Sequence, residues 1–147
     1  QGVFPMDTAF KRRWDFKYFG SNYNEQLVSN IKVELNNQII SWNDLRKAIN
    51  EELLTYKINE DKLLGPFFAF NEYLETDIPV DEFKETFKNK IIMYLFEDAA
   101  RSKRNDLFSG VSKNGNLTYS EICEVFDERG IGIFCDNIKE KFIKEEE

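Results

Sequence analysis

The sequence predicts an α+β fold that is mainly helical, on three observations. Residues 31–40 alternate apolar and polar side chains about Asn36-Asn37, the pattern of a small hairpin. Residues 42–56 and 80–102 carry apolar side chains at helical spacing. Near the amino end, Trp14, Phe16 and Tyr18 alternate with Asp15, Lys17 and Phe19, a half-buried strand pattern.

Each element has a local cause. Pro5 fixes φ just ahead of Asp7, whose carboxylate can cap one helical turn. Ala9 and Phe10 then turn inward, and Lys11, Arg12 and Arg13 emerge at the end of that turn, before the strand. Gly20 to Asn30 is rich in Ser and Asn and reads as a surface loop. In the hairpin, Ile31-Lys32-Val33-Glu34-Leu35 alternates, Asn36-Asn37 can take positive φ, and Gln38-Ile39-Ile40 resumes the pattern. Ser41 caps a helix from Trp42 to about Tyr56, with Trp42, Leu45, Ile49, Leu53 and Tyr56 on one face. Lys57 to Phe70 is a connector broken by Gly65-Pro66. The longest helix spans about Val80 to Ser102, with Phe83, Phe87, Ile91, Tyr94, Leu95 and Asp98 along one stripe. Arg101 to Asn105 sets cations at its carboxyl end, favourable against the helix dipole. After a loop at Ser109 to Asn116, Thr118 caps a helix over Tyr119–Glu128 that Gly130 closes. A strand at Ile131–Phe134, a final helix and a frayed Lys144–Glu147 tail complete the expectation.

Composition narrows the function classes. Of 147 residues, 41% are hydrophobic and 32% charged, a globular balance rather than a disordered one. Fourteen phenylalanines supply packing area without staples. A net charge of −7 argues against a chain whose whole surface binds nucleic acid. The absence of histidine removes His-based triads and His metal sites. Cys123 and Cys135 lack metal-site spacing, and Cys123 falls on the apolar side of its helix, where a buried free thiol is expected. The longest apolar cluster, Ile91 to Phe96, is too short to span a bilayer, and without a leader pattern the cytoplasm is the default location.

The segment Phe4-Pro5-Met6-Asp7-Thr8-Ala9-Phe10-Lys11-Arg12-Arg13-Trp14 resembles the stretch after the sensor 1 strand of McrB-type AAA+ NTPases. Ile58 to Phe68, with Gly65-Pro66-Phe67-Phe68, is similar to that family's lid motif, and Phe87 to Asp98 to its following lid helix. Leu117 to Ile122 resembles a segment near the family's carboxyl terminus. The resemblance implies a carboxyl-terminal piece: residues 1–30 end an AAA+ α/β core, and residues 31–147 form the hairpin and helical lid. It further implies ATP or GTP hydrolysis with Mg2+ in a ring of like subunits, within a restriction-type defence system that drives a partner nuclease. DNA would then be touched only by other domains or partners. The phosphate loop and magnesium ligands would lie upstream of Gln1, because no Gly of the chain is followed by Lys and no G-x-x-x-x-G-K-[ST] motif occurs. The fragment alone would be inactive.

On that resemblance Arg12 and Arg13 are the catalytic candidates, one of them a finger that neutralises charge on a neighbour's γ-phosphate, worth roughly 10³ or more in rate. Lys62, Gly65 and Phe67 are the nucleotide-binding candidates: Lys62 as a lid cation, Gly65 allowing close backbone approach, Phe67 walling the base. Plainer readings stand beside these. Arg12-Arg13 is equally a solvated basic turn, Lys62 a surface cation paired with Glu60 or Asp61, and Phe68 core packing. Gly110 to Glu121 has part of a calcium-loop pattern, but Gly110 stands where Asp is required and only Glu121 offers a carboxylate. Arg101-Ser102-Lys103-Arg104 can meet nucleic-acid phosphates or simply close a helix. The alternative to the NTPase reading is a self-standing α+β interaction module without nucleotide chemistry.

Overall fold

The computed structural model describes residues 20, 22–70, 78–111 and 116–143. Arg12, Arg13, the expected strand over residues 14–19 and the Lys144–Glu147 tail lie outside the described residues, as do residues 112–115 of the calcium-loop pattern.

The hairpin forms as its sequence predicts. Strands β1 (Lys32–Leu35) and β2 (Gln38–Ser41) pair antiparallel, with Leu35 opposite Gln38 and Val33 opposite Ile40. Asn36 at φ 52 and Asn37 at φ 66 supply the two left-handed residues that a tight two-residue turn needs. Val33, Leu35 and Ile40 face the core, whereas Lys32, Glu34 and Ile39 face out. Just before the hairpin, a 3-10 turn at Glu25–Val28 buries Val28 in the same core.

Helix α1 (Trp42–Thr55) starts where Ser41 accepts the Asp44 N–H at 3.3 Å. Trp42, Leu45, Ile49 and Leu53 are sealed from solvent, while Tyr56 is half-buried. The helix ends on a left-handed residue, Lys57 at φ 64. Its N–H donates to Leu54 O at 2.9 Å and that of Ile58 to Leu53 O at 3.1 Å, the paired bonds of a Schellman stop.

The longest helical run begins as α2 (Val80–Thr86) and continues through two wide π-helical segments, Phe87–Ile92 and Leu95–Ala99. Met93 N–H reaches back to Lys88 O, and Ala100 N–H to Leu95 O at 2.8 Å. The buried side chains explain the widening. Phe83, Phe87, Ile91, Leu95 and Ala99 recur every four residues. In a regular α-helix a four-residue step overshoots by about 40°, so such a stripe would wind off the core. Wider turns remove the overshoot and keep all five inward. Beyond Ala100 the chain runs through a 3-10 turn, Arg101–Lys103, into α3 (Arg104–Leu107).

A column of aromatic rings links these elements. Phe70 meets Trp42 edge-on at 4.9 Å and stacks on Phe83 at 4.7 Å; Phe83 stacks on Phe87 at 5.7 Å, and Phe87 on Phe126 at 5.0 Å. Such contacts add roughly 0.5–1.5 kcal/mol each beyond area burial, which is where the phenylalanine-rich composition is used.

Helix α4 (Tyr119–Arg129) opens with a reciprocal capping box between Thr118 and Glu121. The strand expected at Ile131–Phe134 does not form. Gly130–Ile133 is a 3-10 turn, entered through Gly130 at φ 55. Its bonds are local, Phe134 N–H to Ile131 O at 3.1 Å, and two clips hold it to the preceding loop: Gly110 N–H to Ile133 O at 3.1 Å and Cys135 N–H to Leu107 O at 2.9 Å. A short apolar run that is buried on every side carries no period, so its sequence does not distinguish turn from strand. Gly110 permits the close approach, since a Cβ there would stand 1.9 Å from Gly132 O. Helix α5 (Asp136–Lys139) and a 3-10 turn, Glu140–Phe142, bring the chain back to the hairpin, where Gln38 Nε2 donates to Phe142 O.

The described residues thus form a mainly helical α+β body with one two-stranded sheet. None of its helices is long and apolar enough to cross a membrane.

Candidate functional site

Two features converge on the connector between α1 and the long helix. The first is a polar knot inside the molecule. Arg46 is fully buried, and Asn43 and Asn50 are nearly so. Arg46 donates to Asn43 Oδ1 through Nε at 3.1 Å and Nη2 at 2.6 Å, to Leu64 O at 3.0 Å, and to Asn22 Oδ1 at 3.1 Å. Asn50 brackets the same connector residue: it accepts the Leu64 N–H at 2.7 Å and donates to Leu64 O at 2.8 Å. Glu25 accepts from Asn43 at 3.1 Å and from Lys47 at 3.0 Å. Burial pulls the Arg46 guanidinium down to about 10, with the Glu25 charge opposing, so it remains protonated at neutral pH. The knot fixes the path of Leu63-Leu64 over α1. Sequence reading passed over it, although Asn43, Arg46 and Asn50 lie at i, i+3 and i+7 beside the apolar stripe.

The second feature is an open groove at the surface. Lys57, Asn59 and Lys62 line it from the connector, and Asp98, Arg101 and Ser102 from the end of the long helix. Lys62 is ion-paired with Asp98, not with Glu60 or Asp61 as expected, because Tyr94 Oη donates to Lys62 O at 2.8 Å and draws the turn toward the long helix. Lys57 and Arg101 are exposed. Next to them, Lys103 Nζ stands 6.0 Å from the centre of the Tyr56 ring, and the Arg104 guanidinium lies 3.7 Å from that of Phe96. Arg104 Nε also donates to Phe96 O at 2.6 Å, so the basic run Arg101 to Arg104 is split between groove and packing.

The other residues singled out in the connector and near Glu121 sit as follows. Around Gly65 the protein leaves open space: a Cβ there meets nothing within 4 Å. Pro66 O instead accepts the Trp42 indole N–H at 2.9 Å, tying the connector to the start of α1. Phe67 and Phe68 are half-buried against the core, Phe68 with its ring 4.9 Å from Tyr94. Lys62, Gly65 and Phe67 share one connector, and of the three Lys62 lines the groove. The carboxylate of Glu121 is taken up by Thr118, at 3.3 Å from its N–H and 3.0 Å from its hydroxyl. Among the described residues no three His, Cys, Asp or Glu side chains gather as a metal set. Cys135 is buried as a free thiol, whereas Cys123 is only half-buried; burial pushes both thiols above their ordinary value.

No known family profile and no solved structure matches the chain. It is 40% identical over 131 residues to a protein of Bacillus subtilis (strain 168) named as the component YdiS of the type II restriction enzyme BsuMI. That alignment covers 86% of this chain and 34% of the relative, so the chain spans about a third of that protein's length. The match overturns the expected kinship: the chain is not the carboxyl terminus of an McrB-type AAA+ NTPase but is similar to part of a type II restriction component. The relative's name is consistent with the restriction context expected from the sequence, and the finger and lid roles have no support in it.

Proposed function

We propose that this chain is the folded scaffold of a subunit in a type II DNA restriction system, holding that subunit in contact with the other components. One observation carries the reading: the 40% identity over 131 residues to a restriction-enzyme component, which extends across the hairpin, both principal helices and the connector rather than one motif. The architecture suits the role. A single aromatic core and a buried polar knot hold the connector in one conformation, so its exposed groove is rigidly presented.

The test is a restriction assay in the native host. Disrupting the gene should let unmodified plasmid DNA transform as efficiently as DNA carrying the host's modification. Restoring the intact gene should bring the difference back. Unchanged restriction after disruption would reject the reading.

A further inference from the structure

We propose that the groove between the connector and the end of the long helix is a seat for the phosphate backbone of duplex DNA, with Lys57 and Arg101 as its contact cations. The inference deepens the reading of the chain as part of a restriction subunit and rests on it.

Four observations lead there. The groove is lined by three cations, Lys57, Lys62 and Arg101, against one carboxylate, Asp98. That surplus is positive in a chain whose net charge is −7. Asp98 is already neutralised by Lys62, so the pair cancels and the surplus belongs to Lys57 and Arg101. Neither of these two makes an ion pair among the described residues, although Glu60, Asp61 and Glu97 stand on the same turn and helix. Asn59 and Ser102 add neutral hydrogen-bonding groups along the same walls.

The backbone supplies the fourth observation. Lys57 sits at φ 64, in the helix-terminating position where glycine carries no steric cost. A left-handed conformation costs a lysine roughly 1–2 kcal/mol. Strained backbone positions of this kind cluster at functional sites. Here the strained residue carries an exposed charge into the groove.

The groove is open rather than enclosed, which fits a polymer lying across it better than a small anion held inside. Guanidinium and ammonium groups set on opposite walls meet phosphate oxygens without reading bases, so the contact positions DNA and carries no sequence preference.

The test uses the full-length protein and labelled duplex DNA, titrated by fluorescence anisotropy between about 50 and 200 mM salt. The variant Lys57→Asn/Arg101→Gln removes both charges, and asparagine keeps the left-handed turn. The control Lys32→Gln/Lys90→Gln removes two exposed cations outside the groove. A cooperative melt no lower than the parent's establishes that each variant is folded. Two phosphate contacts contribute about 2 to the slope of log affinity against log salt. The groove variant should lose that slope and weaken binding equally for modified and unmodified duplexes, with the control pair unaffected. The proposal is overturned if the parent protein does not bind duplex DNA, or if the groove variant keeps the parental slope. An equal loss in the control pair, or displacement of DNA by inorganic phosphate or a free nucleotide at matched phosphate concentration, overturns it too. Loss of restriction on gene disruption is read separately, so the seat can fail while the restriction role stands.

Discussion

Replacing Asn50 by alanine should loosen the connector from α1 at a cost that follows from two distances. Asn50 accepts the Leu64 N–H at 2.7 Å and donates to Leu64 O at 2.8 Å. The carbonyl keeps a second donor, Arg46 Nη1 at 3.0 Å, so losing the Asn50 amide there removes one bond worth about 1 kcal/mol. The Leu64 N–H has no such reserve. It belongs to a fully buried residue, and an orphaned buried donor costs about 1–3 kcal/mol. The sum, about 2–4 kcal/mol, is a large part of a typical stability of 5–15 kcal/mol. Urea unfolding measures it directly, and the melting temperature should fall by roughly 10 °C. Hydrogen exchange adds a local readout, because the Leu64 amide should lose protection ahead of the α1 interior. A cost below about 0.5 kcal/mol, or a Leu64 amide as protected as before, would refute the account of the knot.

Other perturbations follow from the same geometry. Lys57→Gly should stabilise the fold by about 1 kcal/mol, as it relieves a left-handed lysine; destabilisation in urea melts would show that the side chain packs. Thr118→Ala should cost about 1 kcal/mol through the lost capping box, and an unchanged midpoint would contradict that cap. Gly110→Ala should cost about 3 kcal/mol or more, because its Cβ would stand 1.9 Å from the Gly132 carbonyl, and a soluble variant melting within a few degrees of the parent would refute the close approach. Burial raises both thiols, so at pH 8 Cys123 and Cys135 hold less thiolate than free cysteine and should alkylate more slowly, gaining rate only at higher pH; labelling at the free-thiol rate would contradict their placement.

What could be read from the sequence was what local rules determine. Asn36-Asn37 announces a turn with two positive φ values, and Ser41 and Thr118 announce helix starts, because each signal acts within four residues of itself. The widened turns of the long helix were half visible: a four-residue repeat at Phe83, Phe87, Ile91 and Leu95 is present in the sequence, but only packing decides whether the helix or the stripe yields. Ile131–Phe134 has no period to read, so turn and strand share one pattern. Arg46 defied its type, since a charged residue is buried only when partners distant in sequence, here Asn22 and Leu64, come to it. The lid resemblance rested on Gly65-Pro66-Phe67-Phe68, whose glycine has open space around it. The phenylalanines are half-buried against the core, and the proline carbonyl holds the Trp42 indole. Short motifs of common residues recur wherever a connector must turn and seal a core. Alignment over 131 residues discriminates where eleven do not.

The most direct measurement is cleavage by the tagged full-length protein, purified from its native host together with whatever remains bound, on one DNA sequence with and without the host's modification. The unmodified DNA should be cut and the modified DNA spared, and the same preparation from a host lacking the gene should cut neither. Equal treatment of the two DNAs by the wild-type preparation would contradict the restriction role.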